Sequence, residues 1–249
     1  MNDILKQSLN VPASCEVNNT IFKKLFYENA DMNKVDRDIF AEHIDKITWL
    51  YCLKPDSINI LPHKDDIREY AEIEILEVKL NKETKTKRIS EVIMRTIPYP
   101  MLLIFSYHES IQLVVAHQRI NLSDSSKNTI EEFILTEWID FENLTAKDQK
   151  LLNSLELKGL SHINFYRLYS DIVDRIIVYN ASELTVGYID VENVTKVKEV
   201  YDEVGKLDKE IENLRMKIKR ETQINRRVEL NVAIKKLEAL RKGLIEKLK

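Results

Sequence analysis

Two runs of apolar residues at helical spacing lie near the end of this 249-residue chain. The first repeats in steps of four and three, the spacing of a helix that buries one seam against another helix; its members are Val197, Tyr201, Val204, Leu207, Ile211, Leu214 and Ile218. The spacing fails across 220–227, and a second run continues from Val228 to Leu248. This interruption predicts that 192–249 folds back on itself as an antiparallel coiled-coil hairpin. One continuous helix, its seam covered by a partner chain, is the alternative.

The composition is typical of a soluble globular protein, with 44% hydrophobic and 32% charged residues. No apolar run approaches the roughly 20 residues that span a bilayer, and the first residues lack the basic and apolar segments of a secretory signal. The two cysteines, Cys15 and Cys52, have no metal-binding spacing. The sequence therefore predicts a cytoplasmic protein with free thiols and no membrane segment.

Glycine is scarce, and this excludes common nucleotide-binding motifs. The four glycines are isolated, and none precedes Gly159. A loop that cradles phosphate needs clustered glycines so that backbone amides can converge on the anion. The five histidines are equally scattered, with no pair at the spacing of metal ligands on a helix. No cofactor and no metal site is predicted from these residues.

The patterning of the first part of the chain predicts an α+β fold. A helix capped by Asp31 or Asn33 is expected to run to about residue 50. Strands are expected at 57–61, 67–80, 101–107, 111–117 and 130–139, with a helix at 88–97 that Pro98 and Pro100 stop. From Thr145 onward the sequence reads as helical, including one long segment at 160–183. We expect a mixed β-sheet body with flanking helices at 1–145, a helical connector packed on the body at 146–191, and the hairpin at 192–249.

One constellation in the body indicates a nuclease. Glu77 and Lys79 are two residues apart in the predicted 67–80 strand, and Asp65 and Asp66 precede them. Nucleases of the restriction-endonuclease type place an acid on one strand and an acid-x-Lys pair on the next, where the acids hold Mg²⁺ and the lysine helps to activate water. The alternative is structural, because a bulge at residues 75–76 would send Glu77 and Lys79 to solvent and keep the apolar residues inside. Acid-x-Lys triplets are frequent in a chain this charged, which favours the structural interpretation.

A second constellation is basic and lies where the heptads break. Residues 215–249 hold twelve basic and four acidic side chains, and the cations nearest the break are Arg215, Lys217, Lys219, Arg220, Arg226 and Arg227. If Asn225 caps the second helix, the last two of these put positive charge at a positive helix end, which is mildly unfavourable. The pattern indicates contact with an acidic protein surface or with DNA, and a solvated turn is the alternative.

Several segments resemble an uncharacterised bacterial family, domain of unknown function family 4391. The residues that carry the resemblance are Cys15-Glu16-Val17-Asn18, Lys23-Lys24-Leu25-Phe26-Tyr27-Glu28, Lys46-Ile47-Thr48-Trp49-Leu50-Tyr51, Lys54-Pro55 and the tail from Gln223 to Asn231. The resemblance implies a place beside helicases and DNA methyltransferases of restriction-like anti-phage systems. It supplies no reaction and no catalytic residues.

The sequence thus favours a non-catalytic accessory subunit that docks a helicase or methyltransferase of a defence complex through its C-terminal hairpin. Two alternatives stay open. One is a Mg²⁺-dependent nuclease that uses Asp65 or Asp66 with Glu77 and Lys79. The other is a scaffold that self-associates as a homo-oligomer through the coiled coil.

Overall fold

The computed structural model describes residues 3–121, 128–185 and 194–248. Its helices are α1 (Asp3–Leu9), α2 (Lys23–Asn29), α3 (Lys34–His43), α4 (Pro55–Ile58), α5 (Thr86–Thr96), α6 (Ala146–Ser154), α7 (Phe165–Ser182), α8 (Val194–Arg220) and α9 (Ile224–Glu246). Its strands are β1 (Glu16–Ile21), β2 (Ile44–Leu53), β3 (His63–Lys64), β4 (Glu69–Tyr70), β5 (Ile73–Leu80), β6 (Met101–Tyr107), β7 (Ser110–Val115), β8 (Gln118–Ile120), β9 (Asn128–Ile130), β10 (Ile134–Leu135) and β11 (Ile139–Asp140).

The chain forms two compact units, Met1–Ile176 and Ile177–Lys249, which divide within α7. The domain boundary predicted at 145/146 stays a prediction, and the one predicted at 191/192 lies outside the described residues. The first unit combines helices with a mixed sheet and the second is helical, so the predicted α+β class with a helical C-terminal part is confirmed.

The main sheet has the strand order β1-β2-β5-β6-β7-β10 among the described residues, with β11 also paired to β7. Strands β5 and β6 run parallel, joined by the crossover helix α5, and the other neighbours are antiparallel. Two short ribbons, β3–β4 and β8–β9, lie outside this sheet. The 101–107 strand was expected to be buried on both faces, and Met101 to Phe105 are indeed fully buried in β6.

The interior of the first unit forms around the central strands. One face of β5 and β6 packs under α3 and α5, where the core includes Phe40, Leu76, Ile93 and Phe105. On α7, the buried Tyr169 hydroxyl donates to the Met101 carbonyl at 2.8 Å and accepts from the Ala116 amide at 3.1 Å. Those two hydrogen bonds attach α7 to the backbone at β6 and just after β7.

Helix α3 begins where the sequence predicts and ends seven residues early. Asn33 and Asp36 form a capping box, in which the Asn33 side chain accepts from the Asp36 amide at 3.0 Å and the Asp36 carboxylate accepts from the Asn33 amide at 3.2 Å. The helix ends at His43, and the following ten residues form β2. The predicted helix to residue 50 is therefore wrong, because residues 44–53 pair with both β1 and β5.

Other strand predictions need correction. Residues 57–61 are not a strand, because Pro55 starts the short helix α4, a position where proline's missing N–H costs nothing. The 67–80 strand is broken into β4 and β5, and the 130–139 strand into β10, β11 and the end of β9. The helix at 88–97 is confirmed as α5, and the strand at 111–117 is confirmed as β7. Strand β1 was not predicted, because its side chains are mostly exposed and lack an apolar face.

Irregular pairing shapes β1 and β2. The β2–β5 register shifts between Trp49 and Tyr51, which oppose the consecutive residues Leu76 and Ile75. Leu50 is therefore an extra residue on β2. On β1 the register shifts between Glu16 and Asn19, and Asn18 there adopts a left-handed conformation with φ of 52°. The structural alternative expected a bulge at residues 75–76; the irregularity lies opposite them, on β2.

The second unit contains two antiparallel helices and the end of α7. Contacts between Asp208 and Arg241 and between Arg215 and Glu238 show that α8 and α9 run in opposite directions. Their shared apolar cluster includes Val197, Val200, Val204, Leu207, Leu244 and Leu248, together with Val178 and Ala181 of α7. The continuous-helix alternative is therefore wrong, and coiled-coil packing in the strict sense stays a prediction. Among the helices described, we find none with the length and apolarity that crossing a membrane requires.

Candidate interaction surface

The helical hairpin turns sharply at residues 221–223. The Glu221 carboxylate accepts hydrogen bonds from the backbone amides of Thr222 and Gln223, both at 2.9 Å. The bond from the Gln223 amide has the larger effect, and together the two bonds hold the pKa of the Glu221 carboxyl below its usual range. Helix α9 then starts with Gln223 as its N-cap, without a side-chain cap. The predicted cap, Asn225, is the second residue of the helix instead.

The predicted basic residues surround this turn, and we call the segment 215–227 the hairpin end. Arg215 pairs with Glu238 at 2.8 Å, and Arg226 lies 3.9 Å from Glu221. The other four cations are exposed and have no ion pair with any residue that the structure describes; they are Lys217, Lys219, Arg220 and Arg227. The turn therefore presents positive charge that no acidic side chain in the described ranges pairs with.

The helix dipoles affect these cations in opposite ways. Lys217, Lys219 and Arg220 lie in the last turn of α8, where cations are favourable. Arg226 and Arg227 lie in the first turn of α9, where positive charge is unfavourable by a few tenths of a kcal/mol up to about 1 kcal/mol. The hairpin end thus carries two cations that its own fold does not favour.

A cleft of about 590 Å³ opens between the helices at this end. Leu230 and Ala233 supply its apolar lining, and Lys217, Arg220 and Arg226 surround it with positive charge, beside Glu221 and Glu229. A cleft lined by apolar residues and by three cations can accept an acidic side chain or a phosphate.

The structure gives Asp65 a role in a turn. Its carboxylate accepts from the backbone amides of Ile67 at 2.8 Å and Arg68 at 2.6 Å, and lies 3.0 Å from His63 Nε2. The Ile67 and Arg68 amides, followed by His63, hold the pKa of Asp65 below its usual range. Asp66 is exposed in the same turn. Both acids lie between β3 and β4, outside the sheet that contains Glu77.

Glu77 and Lys79 lie near the C-terminal end of β5. Glu77 is half-buried and Lys79 is exposed, while the alternating residues Leu76, Val78 and Leu80 are buried. Lys79 Nζ lies 3.4 Å from the carboxylate of Asp45, on the neighbouring strand β2. The acid that the structure brings to this lysine is therefore Asp45, which the sequence did not single out.

A thiol–carboxylate group lies at the other end of β5, with Cys52 and Glu74 buried and Glu72 half-buried. The ligand atoms of Cys52, Glu72 and Glu74 all lie within 4.8 Å of one another, the one such group of three or more metal-ligand residues in the described part of the chain. Thiol and carboxylate are ligands that zinc accepts. Burial raises the pKa of Cys52 to about 12. Burial also raises the pKa of Glu74, to about 7, although the hydrogen bond from the Trp49 indole acts in the opposite direction. Near neutral pH the Cys52 thiol therefore keeps its proton and Glu74 is partly protonated.

The sequence does not reveal this group, because the pairing register of β2 and β5 brings its residues together. Cys52 opposes Glu74 directly across β2 and β5, after the one-residue shift at Leu50. The Trp49 indole N–H donates to the Glu74 carboxylate at 2.5 Å. No spacing along the chain marks such a set.

A histidine–tyrosine cluster was also missed. The His63 ring stacks on Tyr166 with 4.9 Å between centroids, and the Arg68 guanidinium lies 5.4 Å from the centre of the same ring. The Tyr70 hydroxyl lies 2.9 Å from His117 Nδ1. Four separate segments contribute, so the sequence shows only isolated residues. The contacts hold the β3–β4 ribbon against α7.

Comparison with known proteins identifies one relationship. No curated protein matches the sequence, and no solved structure matches the chain. The model of the family described as Domain of unknown function (DUF4391) matches residues 9–240, which is nearly the whole chain and covers most of each compact unit. The chain therefore belongs to the family Domain of unknown function (DUF4391), as the resemblance of its segments predicted.

Proposed function

We propose that this protein is a non-catalytic interaction subunit whose helical hairpin docks a partner molecule through the hairpin end. The observation that carries the proposal is the set of four exposed cations without an ion pair among the described residues, together with Arg226 and Arg227 in the unfavourable first turn of α9. Exposed charge that no acidic side chain of the described residues pairs with is available for a negatively charged partner.

The segments that resemble the family extend this proposal to a biological setting. They imply a helicase or a DNA methyltransferase of a restriction-like anti-phage system as the partner, acting in the bacterial cytoplasm. The hairpin end would then contact either that protein or its DNA.

The experiment is charge reversal in the full chain. Arg226→Glu with Arg227→Glu should abolish co-purification with the helicase or methyltransferase encoded beside the protein, while the melting temperature stays nearly unchanged. Lys206→Glu with Lys209→Glu makes the same change in charge at exposed positions of α8 away from the turn and should leave capture intact. Equal capture by all three proteins would refute the proposal.

A nuclease is the second candidate function, and one observation favours it. Strands β2 and β5 are neighbours, and they bring Asp45 beside Lys79 in the acid and acid-x-Lys arrangement. In this version Asp45, rather than Asp65 or Asp66, would share Mg²⁺ with Glu77. Mg²⁺-dependent cleavage of plasmid DNA that Glu77→Ala and Asp45→Asn both abolish, with the melting temperature unchanged, would support it; absence of cleavage by the wild-type protein would refute it.

A further inference from the structure

Helix α9 has apolar residues on two opposite sides. One side faces the cluster shared with α8, through Leu237, Leu244 and Ile245. The other carries Ile224, Val228 and Val232, whose exposed fractions are 75%, 56% and 48%. At 3.6 residues per turn, residues four apart form one ridge, and this ridge lies roughly opposite the seam.

The exposed ridge, which we call the α9 stripe (Ile224, Val228 and Val232), is bordered by net positive charge. One acid of α9, Glu229, lies three residues from Val232. Three cations also neighbour the stripe on the helix surface, because Arg227 is three residues from Ile224 and Lys235 and Lys236 are three and four residues from Val232. All three are exposed and form no ion pair in the described ranges. The stripe therefore begins at the hairpin end and continues along the outer side of α9 with cations at its borders.

We infer that the occupant of the α9 stripe is an amphipathic helix of a partner protein, with apolar residues along one face and acidic residues at its borders. This inference rests on the proposed function and assigns the partner's chemistry. An apolar ridge gains free energy when another apolar face covers it, and glutamates at the borders of that face would meet Arg227, Lys235 and Lys236.

Charge and apolarity together decide against the other occupants. A DNA backbone would satisfy the cations but offers nothing to three branched aliphatic side chains, which would be covered by phosphate and sugar without an apolar partner. A second copy of the chain would cover the stripe but would bring the same cations to the same borders, and like charges at an interface are unfavourable. An acidic amphipathic helix satisfies both parts of the surface.

The test uses the full-length protein and two fluorescein-labelled probes. One is a peptide of about three heptads with leucine at positions a and d and glutamate at e and g; the other is a short DNA duplex. Fluorescence anisotropy should show binding of the peptide, and weaker binding at high salt because charges contribute. A peptide of scrambled order, with the same composition, should bind at least about tenfold more weakly.

Matched variants separate the stripe from the charges. Val228→Gln with Val232→Gln removes apolar surface and keeps every charge, and glutamine favours the helix more than valine does. This double substitution should raise the Kd for the peptide by about tenfold or more, since it removes two valines that the bound peptide would bury. Val35→Gln is the control, because it makes the same change at a valine that is 64% exposed on another helix, α3; it should leave the Kd within about twofold.

Three outcomes would overturn the inference. They are failure of the wild-type protein to bind the peptide, equal binding by the stripe variant, and a concentration-dependent dimer in sedimentation that the stripe variant abolishes. If charge reversal at Arg226 and Arg227 abolishes capture of the natural partner but the stripe variant does not, the inference is wrong and the proposed function stands. If neither variant changes capture, the inference and the proposed function are both wrong.

Discussion

Replacing Glu74 by glutamine should remove most of the pH dependence that this carboxyl gives to the stability of the first unit. Glu74 is 3% exposed on β5, accepts from the Trp49 indole and lies against the Cys52 thiol at 3.6 Å. Burial raises its pKa from 4.5 to about 7. Glutamine keeps the shape and the acceptor for Trp49 but cannot ionise.

The sign follows from proton binding. Between pH 4.5 and about 7 the folded protein holds a proton on Glu74 that the unfolded chain has released, so folding becomes less favourable as the pH rises. At ~1.4 kcal/mol for each pH unit between the two pKa values, the loss approaches about 3 kcal/mol above pH 7 and vanishes below pH 4.5. Glu74→Gln should therefore be more stable than wild type at pH 8 by roughly 2–3 kcal/mol, and should differ little at pH 5.

The measurement is urea unfolding at pH 5, 6, 7 and 8. Trp49 and Trp138 are the chain's two tryptophans, and both lie in the first unit, so fluorescence reports on that unit. Glu83→Gln is the control, because it removes one negative charge at an exposed position after β5; its pH dependence should match that of wild type. Parallel stability curves for wild type and Glu74→Gln across this pH range would refute the reasoning.

Three further substitutions test other contacts. Arg88→Gln leaves the buried Asp36 carboxylate without the guanidinium that contacts both its oxygens at 2.7 Å, and should lower the free energy of unfolding by about 3 kcal/mol in urea titrations, with part restored by Asp36→Asn. Tyr169→Phe removes a fully buried hydroxyl and its backbone hydrogen bonds; it should cost about 1–3 kcal/mol, and an unchanged melting temperature would contradict this. Arg241→Ala breaks the exposed pair with Asp208 and should cost less than about 1 kcal/mol by thermal unfolding, since solvent screens the pair.

Helix α3 shows which part of a fold the sequence determines locally. Its start is a capping box between Asn33 and Asp36, three residues apart, so the signal is visible in the chain. Its end depends on residues far away, because 44–53 becomes a strand by pairing with β1 and β5. Ile44 and Ile47 continue the helical spacing of Ile39 and Phe40, yet they are buried as strand residues. A short apolar run at that spacing fits either element.

The hairpin end could be predicted because its signals, like the capping box of α3, lie close together in the sequence. The break in the heptads and the cations beside it are sequence-local, and the structure puts the turn at 221–223. The partners of individual cations are not local, since Arg215 pairs with a residue 23 positions away. The α9 stripe was hidden because Val228 was assigned to the seam of the second helix, whereas the structure leaves it exposed. Only the position of α8 decides which apolar face of α9 is covered.

The acidic residues also show that spacing along the chain does not reveal contacts between strands. Glu77 and Lys79 are neighbours in sequence, but the acid beside the lysine comes from β2, and Asp65 instead closes a turn between β3 and β4. The Cys52–Glu72–Glu74 group likewise depends on a one-residue shift in strand register. Register is set by pairing across the sheet, so spacing along one chain does not reveal it.

The irregularity in β1 has a consequence for how this protein behaves at high concentration. Strand β1 is at one end of the described strand order, so its outer backbone groups could template the addition of a strand from another molecule. Asn18, in its left-handed conformation, breaks the regular spacing of those groups where the register shifts. A bent edge is a poorer template for an added strand than a regular one, so we expect this irregularity to limit association through β1.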